Sequence, residues 1–140
     1  MSAVPALAPD AAIVLGIAST ALPFASTPGD AAERWLRVLR LHGEAGAALQ
    51  SLGVSEGPLR TPEGIERGWA PAPGADDREA VARVLESAVH RADRRGAAGV
   101  ATSDVLMAVM DVYGADFERV LRAHGTDRDE VIERLGATAA

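Results

Sequence analysis

Three histidines, His42, His90 and His124, are the side chains best suited to proton transfer or metal ligation. They lie far apart in sequence and show no HxxxH or HExxH spacing, so no helix carries a paired-histidine zinc motif. The chain has no cysteine, which excludes a thiolate metal site, a Cys nucleophile and a disulfide scaffold. All 14 basic residues are Arg. Without lysine there is no Schiff-base, P-loop or kinase lysine, and GxxxxGK[ST] cannot occur. No GxSxG is present, and no Ser-His-Asp spacing argues for a triad. The acidic pairs Asp76-Asp77 and Asp129-Glu130 fall at expected helix starts, and Arg94-Arg95 at an expected helix end. Two histidines also lie near helix ends. Capping and the helix dipole account for all of these. The residues therefore point to a non-enzyme, with no catalytic, cofactor-binding or metal-ligating set.

Twenty acidic residues against 14 basic ones give a net charge of −6. That balance disfavours a nucleic-acid partner, since phosphate binding needs a basic face. A length of 140 residues fits one domain, or two small repeats sharing a core. Aromatics make up only 4% of the chain, so the core must be aliphatic. With 29 alanines, close-packed helices are favoured. Arg- and Ala-rich, Lys-free sequence also looks like the coding bias of a GC-rich bacterium. Ala11 to Phe24 is apolar except for Ser19 and Thr20, but the first basic residue is Arg34, so no basic segment precedes it. It is also shorter than the ~20 residues a spanning helix needs. It is read as a buried helix, in a cytoplasmic protein with no membrane partner.

The elements expected to position these residues are all helical. Asp10 to Leu22 is bracketed by Pro9 and Pro23, with Ile13, Val14, Ile17 and Ala18 as one face. Asp30 is a candidate cap for a second helix carrying Trp35, Leu36, Val38, Leu39 and Leu41. Ala45 to Leu52 forms a third helix that ends at Gly53. Residues 55–77 change character, with four prolines and four glycines, and read as a linker with a possible helical turn at Pro62–Arg67. Trp69, in its middle, either folds back onto the domain or meets a partner. Arg78 to Arg95 is a long helix with Val81, Val84, Leu85, Ala88 and Ala92 on one face, ended by Gly96. Thr102 or Ser103 opens the next helix, with Val105, Leu106, Val109 and Met110 inward. Tyr113-Gly114 breaks it. Asp116 to His124 follows, with Phe117, Val120 and Leu121 inward, and ends at Gly125. Thr126 or Asp127 caps a last helix carrying Val131, Ile132 and Leu135. Met107 and Met110 read as core. No segment alternates with period two for long enough to be a strand, so the fold class is all-α.

The chain repeats itself. Val14 to Ala18 matches Val84 to Ala88 at an offset of 70, and Leu49 to Val54 matches Leu121 to Thr126 at an offset of 72. The expected organisation is one domain over 1–140, made of repeat 1 (about 5–54), the linker (about 55–77) and repeat 2 (about 78–136). The two would bury their apolar faces against each other with pseudo-twofold symmetry.

The second half, VLESAVHRADRRGAAGVATSDVLMAVMDVYGADFERVLRAHGTD from Val84 to Asp127, resembles the Clp ATPase amino-terminal domain family. It aligns without a gap, with Gly96, Val100, Thr102, Leu106, Leu121 and Gly125 on family positions. HGEAGAALQSLGV, His42 to Val54, resembles the corresponding stretch of the first repeat more loosely. The resemblance spans nearly the whole chain. It implies a tandem pair of four-helix units that receives protein or peptide ligands between its repeats. The family's TEH motif, which can recognise phosphoarginine, is changed here: Thr102 remains, but Ser103 and Asp104 replace Glu and His. In the first repeat either Glu33 or Ala32 stands at the family Glu. Leu7 and Asp77 replace the aromatics that often precede the first helix of each repeat. What the resemblance implies as a ligand site is Glu33, Thr102, Ser103 and Asp104 as polar contacts and Leu7 and Val14 as apolar ones. No ATPase motifs accompany these repeats, and Met1 with the soft C-terminal tail suits a complete stand-alone chain. The expected role is an adaptor or regulator of a Clp protease, binding a Clp ATPase or its substrates. The alternative is a sequestering, resistance-type protein that binds cyclic-peptide antibiotics directed at Clp ATPases. A third possibility is a structural domain without ligand.

Overall fold

In the computed structural model, residues 6–21, 27–54 and 76–139 are described. Among them are seven helices: α1 (Pro9–Ala21), α2 (Pro28–Leu39), α3 (Gly43–Ser51), α4 (Asp76–Arg94), α5 (Thr102–Tyr113), α6 (Ala115–Ala123) and α7 (Arg128–Ala139). The mostly helical character agrees with the sequence. The expected linker, the turn at Pro62–Arg67 and Trp69 lie largely or wholly outside the described residues.

Two short strands correct the purely helical expectation. β1 (Ala6–Leu7) pairs in parallel with β2 (Gly99–Val100), Ala6 opposite Gly99 and Leu7 opposite Val100. The Ala8 N–H extends the ladder by donating to the Val100 carbonyl at 2.9 Å. Two residues cannot show a period of two, so composition and spacing carry no signal for such a pair.

Local chemistry sets the helix ends. The α2 cap is Thr27, not Asp30: its Oγ1 accepts the Asp30 N–H at 3.0 Å, and Pro28 occupies the first turn, where its missing N–H costs nothing. Asp127 caps α7, its Oδ1 accepting the Glu130 N–H at 2.9 Å. The ends of α3 and α6 are alike. Gly53 and Gly125 adopt φ of +92° and +90°. The Val54 N–H reaches back to the Leu49 carbonyl at 3.1 Å, and the Thr126 N–H to the Leu121 carbonyl at 3.0 Å. Both are left-handed glycine caps that satisfy otherwise orphaned carbonyls.

The core is one cluster fed by every helix. Its largest fully buried side chains include Trp35, Leu36, Leu39, Leu49, Val84, Leu106, Met110, Phe117 and Leu121. On α2 the buried Ala32, Trp35, Leu36 and Leu39 stand 70 residues before Thr102, Val105, Leu106 and Val109 of α5, which are also buried. On α3 Ala45, Ala48 and Leu49 stand 72 before Phe117, Val120 and Leu121 of α6, buried likewise. The helices also pack crosswise: α2 lies on α6, and α3 lies on α5. Leu85 and Ile132, expected to face inward, are each 37% exposed.

The α3–α5 crossing depends on a glycine. Gly43 has φ +64°, and a Cβ placed there would sit 2.4 Å from Thr102 Oγ1 and 2.8 Å from its Cγ2. Both backbone strain and collision oppose any side chain at that position. Gly43→Ala is therefore expected to lower unfolding free energy by about 2 kcal/mol or more. Denaturant titration of Gly43→Ala, with and without Thr102→Ala, checks this. The second change should recover the steric part but leave the φ penalty, and a Gly43→Ala protein of unchanged stability would contradict the crossing described.

Candidate functional site

The six residues singled out from sequence occupy three different places: Val14 lies in the core, and the other five divide between two sites. Leu7 lies on β1, whose partner β2 runs into α5, so Leu7 and the Thr102–Asp104 turn share one end of the molecule. Glu33 turns instead to the end of α6.

Around the α5 start, each polar group already has a partner. Thr102 is buried, and its Oγ1 accepts the Ala45 N–H at 3.1 Å, one of the orphan donors at the start of α3. Ser103 Oγ donates to Glu44 Oε2 at 2.7 Å. Asp104 is buried and accepts the Ala101 N–H at 2.9 Å, the carboxylate half of a capping box. Arg95 grips the same carboxylate with two N–H groups, Nε at 3.0 Å and Nη2 on the other oxygen. That hydrogen bond to Asp104 raises the Arg95 pKa, helped by the charges of Asp104 and Glu44 and opposed by slight burial. The guanidinium therefore stays charged throughout the accessible pH range. The contact is bidentate, from a half-exposed guanidinium to a buried carboxylate.

Glu33 is also buried, with Oε2 2.9 Å from Nε2 of His124 at the α6 C-cap. The contact joins residues 91 positions apart. Close by on the same helix, Trp35 Nε1 donates to the Tyr113 hydroxyl at 3.1 Å. Together with Thr102–Ala45 and Ser103–Glu44, these contacts tie the first half of the chain to the second. Sequence reasoning assigned Arg95 and His124 to helix-end electrostatics and did not single out Glu44. Nothing in their local spacing announces partners so distant.

The apolar candidates divide. Val14 has no exposed surface, so it is a core residue and not a contact a ligand could reach. Leu7 is 38% exposed. The expectation that α1 is a buried helix is corrected. Ala11, Val14, Leu15 and Ala18 face the core, while Ile13 and Ile17 stand 47% and 41% exposed. The helix is apolar almost all round, so its pattern could not say which side packs. Asp10 is its only charged residue, and the space above Gly16 is open.

Among the described residues no group of three His, Asp or Glu side chains could hold a metal ion. No helix among them is long and apolar enough to cross a membrane. The chain matches no family model, and no curated protein or solved structure is significantly similar to it.

Two stability outcomes follow from these partners. Arg95→Ala strands the buried Asp104 carboxylate and should cost about 2–3 kcal/mol, whereas Ser103→Ala removes a half-buried contact and should cost under about 1 kcal/mol. His124→Ala should cost about 2 kcal/mol by leaving Glu33 buried without its imidazole, and Glu33→Gln, which keeps a hydrogen bond, should cost less. Urea unfolding of the four variants checks the order. Arg95→Ala and Ser103→Ala of equal stability would refute the reading of Asp104 as a buried, Arg95-dependent charge.

Proposed function

We propose that this protein is a non-catalytic protein- or peptide-binding module, built as two copies of a helical unit and related to the Clp ATPase amino-terminal domains. The repeat reading is supported by the burial positions shared at offsets of 70 and 72, by the matching caps at Gly53 and Gly125, and by the crosswise packing of α2 on α6 and α3 on α5. The burial match on α2 favours an offset of 70, which sets Glu33 opposite Ser103. The link to a Clp protease, as adaptor or regulator, rests on the sequence resemblance of Val84–Asp127.

The observation that carries the binding reading is the apolar outer surface of the first elements. Leu7, Ile13 and Ile17 are large hydrophobic side chains left exposed on β1 and α1, on a helix whose outer face is almost free of charge. Large apolar side chains left exposed one turn apart on a helix suit contact with a partner. The polar residues first considered as contacts serve a different role in this reading. Glu33, Thr102, Ser103 and Asp104 hold the halves and the loops together, and the ligand meets the apolar face beside them.

The test uses the tagged full chain as bait in lysate of its native cells, with mass spectrometry as readout. Wild type should enrich a Clp ATPase or its substrates. An Ile13→Asp/Ile17→Asp variant should lose that enrichment by tenfold or more while unfolding within about 0.5 kcal/mol of wild type, because both residues are surface positions. Enrichment unaffected by the double substitution would reject this face as the binding surface. Wild type that retains no Clp component would reject the adaptor role.

A further inference from the structure

No further inference is drawn: the strongest candidate, the outer face of α1 where Ile13 and Ile17 stand exposed beside Gly16, already carries the binding reading above, and nothing in the structure shows what covers it.

Discussion

The structure depends on how closely the start of α5 approaches the start of α3. Thr102 satisfies a backbone N–H of α3 from across the molecule and fills the space that a side chain at Gly43 would need. A helix N-terminus buried without such a partner would leave unpaired donors in a dry interior. The hydroxyl is therefore both a cap and a spacer. The approach it fixes also puts Ser103 within reach of Glu44, and the same α5 turn presents Asp104 to Arg95. One buried threonine thus sets the register of a whole polar cluster.

Helix existence and much of the core were legible in the sequence, because apolar spacing and glycine punctuation are local signals. Spacing places Val105, Leu106, Val109 and Met110 inward, and they are buried; of the five apolar residues grouped on the second helix, Trp35, Leu36 and Leu39 are buried, Val38 is partly buried, and Leu41 is 56% exposed. Gly53, Gly96 and Gly125 were correctly read as helix ends, all with positive φ. The α1 helix shows where such reading stops. When nearly every side chain is apolar, burial is decided by what packs against the helix, and that information lies far along the chain. The same limit explains the two-residue strands and the Thr27 cap, where Asp30 was an equally suitable side chain one turn late.

The candidate site was legible only as a set of residue types. Thr102, Ser103 and Asp104 share one helical turn, and that was visible. Their partners come from two other places in the fold, Glu44 and Ala45 from α3 and Arg95 from the residue that follows α4. Glu33 and His124 are similarly remote. Spacing rules describe neighbours on one helix; they do not describe which distant charge closes on a carboxylate. Thr102, Ser103, Asp104 and Glu33 are all engaged with the chain itself.

The parallel pairing of β1 with β2 has a consequence for the order in which this protein can be built. A ribosome releases Ala6 and Leu7 long before Gly99 and Val100 exist, so β1 at first has no strand to join. The first three helices emerge in the same situation: α2 awaits α6, and α3 awaits α5, before their inner faces can close. Domains generally fold as units during synthesis. Here the unit draws on both halves of the sequence, so native assembly waits until the second half has emerged. Until then Trp35, Leu36 and Leu49, all buried in the folded protein, lack the second-half helices that complete their cover.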